Sequence, residues 1–388
     1  HRKGDVDMFD NKALKRLIIP LFLEQFLVML VGLADTFIIS YAGEAAVSGV
    51  SLVNSFNTIF IMLFSALASG GAVVISQYLG RKDHDLAGEA SSQLLLFSAL
   101  FSLLCTILVL VFNRRIMRLM FGRVDDDVMK ACVTYLAISA CSYPFMAIYN
   151  AGASLYRSRG DSKTTMYLSI ISNLINVIGN CIGVLVLKAG VAGVAIPTLI
   201  SWCFSAVSVT VLCFRRKTEG GYRLQWMFRW NGSMQARILR IAIPNGAENG
   251  VFQLVKVALS SVVTLFGTYQ IAANGVAQSI WSLAALAGVA MGPAFITVIG
   301  QAMGSGDSEL AERLFVKMTK ITLLLSTLWN SLILALTPLF MMVFQLEPET
   351  KLLVIRLVLI HNIFNAFAFP LSGPLGNGLR AAGAVRFT

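Results

Sequence analysis

Ten stretches of this chain, near residues 17–40, 50–78, 91–112, 130–151, 165–187, 191–214, 241–266, 273–299, 318–344 and 352–377, are long and apolar enough to read as helices that cross a bilayer. Nothing else in the sequence limits the possible folds so tightly. A helix rises about 1.5 Å per residue, so about 20 apolar residues cover a hydrocarbon layer of about 30 Å. Helices satisfy their own backbone groups in lipid, and no segment alternates with the period of two that a barrel strand needs. With 56% hydrophobic residues, 13% charged residues and a mean hydropathy of +0.74, the chain carries more apolar surface than a soluble core of 388 residues could bury. The sequence therefore predicts an all-α, polytopic membrane protein whose solvent is the lipid bilayer.

The net charge of +11 would suit a nucleic-acid partner in a soluble chain. Here the basic residues cluster in short loops, where they act as topology signals, and no nucleic acid is expected. A cytoplasmic N-terminus puts Lys12, Lys15, Arg16, Arg81, Lys82, Arg157, Arg159, Arg313, Lys317 and Arg380 on the cytoplasmic side of the plasma (inner) membrane. One outer loop dissents. Residues 113–130 carry Arg114, Arg115, Arg118, Arg123 and Lys130 together with Asp125, Asp126 and Asp127, and an amphipathic surface segment is expected there. The six cysteines lie in or beside apolar stretches without metal-ligand spacing, and His1, His84 and His361 are scattered. No cofactor is expected, and no metal beyond a possible Na+. The opening residues are too polar for a signal peptide, and a few residues are expected to precede His1 because the chain opens without methionine.

Shifting the chain by 224 positions lays it over itself: Arg16 falls on Arg240, Pro20 on Pro244, Glu24 on Glu248, Gly43 on Gly267 and Gln77 on Gln301. The following loop matches as Gly80/Gly304, Asp83/Asp307, Leu86/Leu310 and Ala87/Ala311, and Leu155 to Gly160 resembles Leu379 to Gly383 with a one-residue slip. A repeat unit of six helices returns the chain to the same face. The expected architecture is thus two six-helix lobes related by a pseudo-two-fold along the membrane normal. Residues 1–214 form the N-lobe with helices 1–6, and residues 215–240, with Trp226, Phe228 and Trp230, form a cytoplasmic interfacial linker. Residues 241–388 form a C-lobe with helices 7–10, so about ten of twelve helices are expected, the last two being absent. Two such lobes can bracket a cavity that opens alternately to each side, as secondary transporters do.

Ionisable groups inside the spans are few: Glu24, Asp35, Glu248, Lys256 and His361. Each is costly in lipid unless paired or hydrated, which makes each a candidate for function. Asp35 lies three helical turns after Glu24 on nearly the same face, and Pro20 can act as a hinge below both. On the fifth span Asn173, Asn176 and Asn180 form one polar face, and Thr198 follows Pro197 on the sixth. Carboxamide and hydroxyl oxygens suit a cation or a polar substrate group, and equally they can bind helices together. The blander alternatives are a hydrated Asp35 near the outer interface and a packing contact for Glu24. In the seventh span Lys256 can neutralise Glu248 in a structural pair, beside Asn245, Asn249 and Gln253. His361, one turn from Asn365, can relay protons or simply hydrogen bond, and Tyr135 on the fourth span is a further candidate.

Ile19-Pro20-x3-Glu24, Ala34-Asp35-Thr36 with Gly43, Ile75-Ser76-Gln77-x2-Gly80 and Tyr149-x6-Tyr156-Arg157-Ser158-Arg159-Gly160-Asp161 together resemble the multidrug and toxic compound extrusion (MATE) family. The resemblance covers essentially the whole chain. It implies an antiporter, a monomer, exporting small organic and often cationic compounds across the plasma membrane in exchange for H+ or Na+. It also implies an N-lobe cation and substrate site on Asp35, Asn176, Asn180 and Thr198. The pattern of many prokaryotic members has aspartate where this chain has Asn180, a departure that weakens the case for sodium. Other members use an acid on helix 7, for which Glu248 is the candidate. A flippase for lipid-linked oligosaccharides is the nearest rival and would need an arginine-rich cavity. A non-transporting scaffold or receptor leaves the intramembrane acids without a purpose. No catalytic cluster or nucleotide-binding glycine motif suggests an enzyme.

Overall fold

The structure, a computed structural model, describes residues 9–121, 125–215, 219–263, 265, 268–343 and 348–384. His1, Arg123 and Gly267, used above, lie outside the described residues. The helices run in order: α1 Asn11–Ser40, α2 Glu44–Gly80, α3 His84–Phe121, α4 Asp126–Ala140, α5 Tyr143–Ser158, α6 Ser162–Cys181 and α7 Ala192–Cys213. A short α8 Leu224–Met227 leads to α9 Gly232–Val263, α10 Thr268–Ala284, α11 Leu286–Gly304, α12 Ser308–Val343 and α13 Pro348–Ala381. A π-helical turn, Ile182–Val186, extends α6. The protein is an all-α polytopic membrane protein, with no strand among the described residues.

Among the described residues, eight helical paths are long and apolar enough to span a membrane, and nine if α4 and α5 count as one. The expected seventh span is α9, whose polar residues from Asn245 to Lys256 keep it out of that set on composition. It begins at Gly232, inside the stretch expected to be linker. The fourth span is broken, with α5 bent 43° from α4. Pro144 in the first turn of α5 lacks the N–H that would have reached the Ala140 carbonyl, and the Thr106 hydroxyl donates to that carbonyl instead, at 3.1 Å. Residues 113–121 are not a separate surface segment. They are the last turns of α3, whose Asn113 amide donates to the Val133 carbonyl at 2.9 Å.

The repeat's polar signature has a structural job in each copy. Asp83 accepts from the Leu86 N–H at 3.0 Å and Asp307 from the Leu310 N–H at 2.8 Å, so the paired aspartates cap α3 and α12. The paired glycines let α2 and α11 touch. A Cβ on Gly80 would lie 2.0 Å from the Gln301 carbonyl oxygen, and one on Gly304 would lie 2.0 Å from that of Gln77. Gln77 donates to the Ala381 carbonyl at 3.0 Å, and Gln301 donates to that of Ser158. Each contact is the image of the other under the repeat, so the crossing is self-complementary.

The buried residues among those described fall into three cores. The largest draws on both halves, with Leu17, Val73, Leu94, Leu155, Ile238, Phe295, Ile299 and Met318, and it lies toward the end of the molecule that bears the N-terminus. Toward the opposite end the core divides. One part, around Val53, Cys132 and Leu136, belongs to the first half alone, and another, around Ala277, Ile333 and Val358, to the second half alone. The halves are therefore packed together at one end and separately packed at the other.

Segment 219–231 is fastened to α3. The buried Gln93 amide donates to the carbonyls of Trp226 and Arg229 at 2.6 and 2.7 Å and accepts from the Asn231 N–H at 3.2 Å. Ser91 donates to the Gly220 carbonyl at 2.6 Å, and Arg223 pairs with Asp85 at 2.9 Å. A connection between halves that could have been loose is thus held against one of them.

Candidate functional site

Asp35 stands on the divided side of the molecule, near the end of α1 and half-buried. Its carboxylate accepts from the Asn180 amide at 2.6 Å. Asn180 also donates to the Asn176 side-chain oxygen at 3.1 Å, Asn176 donates to the Thr198 hydroxyl at 2.9 Å, and Thr198 donates to the Val194 carbonyl at 2.8 Å. Four side chains from α1, α6 and α7 thus form one chain of hydrogen bonds. The spacing of four between Asn176 and Asn180 stacks their amides on one helix face. Close packing of α6 on α7 brings Thr198 within reach: Gly179 lies against the Pro197 ring and Gly183 against the Gly193 backbone, where a Cβ would clash. Asn180 is fully buried, and its side-chain oxygen has no hydrogen-bond partner among the described residues. That oxygen is an unused acceptor on the side chain whose amide holds Asp35.

The other sequence candidates are distributed around this chain. Asn173 donates within its own helix to Ser169 at 3.4 Å. Tyr135 donates to Asn54 at 3.2 Å, and its neighbour Tyr143 donates to Asn57 at 2.6 Å, which places a second polar patch on the α2–α4–α5 wall. Pro20 is buried one turn before Glu24. His361 lies on α13, half-buried, with its Nδ1 unpartnered among the described residues. Lys256 projects over the Trp281 ring at 4.7 Å and toward Phe252 at 6.0 Å.

Glu24 and Glu248 belong to ion pairs. Glu24, buried on α1, accepts from Arg157 at 2.6 Å, Thr165 at 3.3 Å and Tyr149 at 3.4 Å. Glu248 is paired with Arg380, which also donates to Asn377 at 2.8 Å. Arg157 and Arg380 occupy matching places in the two repeats, so one Glu–Arg pair has been built twice. Reading charge by loop position alone assigned both arginines to the cytoplasmic surface. The signal that finds them is their recurrence in phase with the two glutamates. The pairs are not equally enclosed: Glu24 is 5% exposed and Glu248 46%. Among the described residues no group of three or more His, Cys, Asp or Glu side chains is arranged to hold a metal.

The MatE family model matches this chain twice, over residues 20–182 and 244–388. The two matches begin on the paired prolines of the repeat. The chain belongs to the MATE family of transporters. It is 25% identical to the uncharacterised transporter YisQ of Bacillus subtilis over 95% of this chain and 81% of that one. Human multidrug and toxin extrusion protein 1 is also 25% identical, over 96% of this chain and 66% of its own length. Among solved structures, a MATE protein crystallised in complex with MaD3S superposes with a TM-score of 0.90 at 21% identity, over 97% of this chain and 83% of that one. A MOP superfamily transporter from Pyrococcus furiosus superposes at 0.89, also at 21% identity and with the same coverage. This MATE chain is therefore a multi-pass transporter handling small molecules in a membrane, and the hydrogen-bonded Asp35 chain is its candidate site.

Proposed function

We propose that this MATE protein exports organic cations across the plasma (inner) membrane in exchange for protons, by alternating access. The observation that carries the reading is the Asp35–Asn180–Asn176–Thr198 chain on the side where the two halves have separate cores. Ionised Asp35 attracts the cationic substrate into the cleft. A proton arriving at the same carboxylate removes that attraction, and α1 can then move about Pro20. One carboxylate and one proton suffice for exchange. Sodium would want more anionic oxygen than this chain offers, since Asn180 replaces the second acid and turns its amide hydrogens toward Asp35. The flippase alternative loses support because the buried Arg157 and Arg380 are committed to Glu24 and Glu248, leaving neither for a pyrophosphate. The basic loops favour a cytoplasmic N-terminus, which makes the tightly packed end the cytoplasmic one. The self-contained cores of both halves are compatible with a working monomer.

The test is transport of a fluorescent organic cation by the protein in sealed vesicles, with proton and sodium gradients imposed separately. Uptake driven by the proton gradient and lost in Asp35→Asn is expected. Undiminished transport by that variant, or transport driven by sodium alone, overturns the proposal.

A further inference from the structure

The lipid-facing stripe of α3 ends on arginines. Leu100, Leu104, Ile107 and Val111 are exposed at spacings of four, three and four, the pattern of a helix that turns one face to lipid. The same spacing carries on to Arg114 and Arg118, both exposed. The opposite face is buried in the core of the first half through Cys105, Val109 and Met117, and hydrogen-bonded to α4 through Asn113. From Val111 to Arg118 the helix rises about 10 Å, enough to pass from hydrocarbon into the headgroup layer.

Beside these arginines α4 begins, and a cavity of about 780 Å³ lies between the two helices. Arg114 and Arg118 line it from α3, and Asp126, Met129 and Lys130 from α4. Its charge is lopsided, three cations against one carboxylate. Lys130 also reaches Asp127 at 3.1 Å, but that pair is exposed and screened by water. Arg114 and Arg118 make no ion pair among the described residues. Snorkelling to water accounts for an arginine at a helix end, but not for a hollow that gathers cations from two helices.

We propose that this hollow binds the headgroup of an anionic phospholipid of the phosphatidylglycerol type, drawn from the leaflet at the end opposite the N-terminus. Arg114 and Arg118, one turn apart, take the phosphate oxygens in forked hydrogen bonds, and Lys130 adds charge from α4. Asp126 accepts from a headgroup hydroxyl and disfavours the more highly charged phosphatidic acid. Met129 meets the apolar start of the acyl chains, which run down the Leu100–Val111 stripe. The basic residues that break the loop-charge pattern of the sequence thereby gain a partner, and the lipid ties α3 to α4 where the halves are separately packed.

The experiment is native mass spectrometry of the full chain in detergent, titrated with phosphatidylglycerol, phosphatidic acid, phosphatidylcholine or the water-soluble glycerophosphoglycerol headgroup. Phosphatidylglycerol is expected to bind about ten-fold tighter than phosphatidylcholine, and the headgroup alone to compete only weakly. Arg114→Gln or Arg118→Gln should each weaken phosphatidylglycerol about five-fold, while Arg118→Lys keeps part of the affinity. Arg115→Gln is the control, since it removes the same charge about 100° farther round the helix, outside the cavity. These side chains are exposed, so all the variants should melt with the wild type in lipid-free detergent. An equal loss in Arg115→Gln would reveal diffuse attraction, and competition by the headgroup as strong as by the lipid would reveal a site for soluble anions. Either result, or wild-type binding of phosphatidylcholine or phosphatidic acid as tight as that of phosphatidylglycerol, overturns the proposal.

Discussion

Glu24 and Glu248 make the same ion pair in the two halves, yet burial gives the pairs different weights. Glu24 is enclosed by Arg157, Tyr149 and Thr165, so removing its charge leaves a guanidinium without its partner in an apolar setting. Breaking a fully buried pair costs about 3–5 kcal/mol. Glu248 keeps contact with the cleft, where water screens the loss. Glu24→Gln is therefore expected to lower the thermal stability of the purified protein clearly more than Glu248→Gln, and equal losses would contradict this account. Asn180 poses a second question at this scale, because it meets Asp35 with an amide N–H rather than a second carboxylate. Asn180→Asp supplies the acid that the family pattern carries, and it should confer a response to sodium gradients absent from the wild type. No sodium response in a variant that still transports would show that the amide is not what sets the choice of ion.

At the scale of helices and turns, small residues decide where elements can meet. The α2–α11 crossing leaves no room for a side chain at Gly80 or Gly304. Gly80→Leu must push the two helices apart at the N-terminal end, and overpacking of this sort typically costs about 1–3 kcal/mol. The turn that follows offers a contrasting case. Lys82 occupies the left-handed region at φ 61°, where its repeat counterpart Gly306 sits at φ 82° without steric cost. Lys82→Gly is expected to leave stability unchanged or raise it by up to about 1 kcal/mol, measured by thermal unfolding. The paired glutamines, glycines and aspartates around this turn were legible as a repeated motif. Their separate jobs of bonding across, permitting contact and capping became clear only with the helices in place. The break at Ser142 is similar: Pro144 marks it in sequence, while the Thr106 hydroxyl that satisfies the freed carbonyl comes from another helix.

Across the whole molecule, a shared core at one end and divided cores at the other define a cleft that opens away from the N-terminus. In a cysteine-free background, a cysteine at Gln253 should react with an impermeant thiol reagent applied from that side. One at Ala242, buried in the shared core, should react from the N-terminal side only after Gly80→Leu wedges it open. Equal labelling of both positions without the wedge would contradict the two-ended packing. The apolar runs and the repeat by themselves determined an all-α membrane protein built twice from one unit, because lipid leaves the backbone few choices and a repeat copies its contacts. They also marked Asp35, Asn176, Asn180 and Thr198, since polar groups stand out against an apolar helix. Only the tertiary structure decided that these four share one hydrogen-bond chain, that Arg157 and Arg380 answer the glutamates, and that Lys256 rests on Trp281. The physical reason is that pairing inside a membrane depends on which helix faces meet, and a one-dimensional pattern records the faces but not their partners.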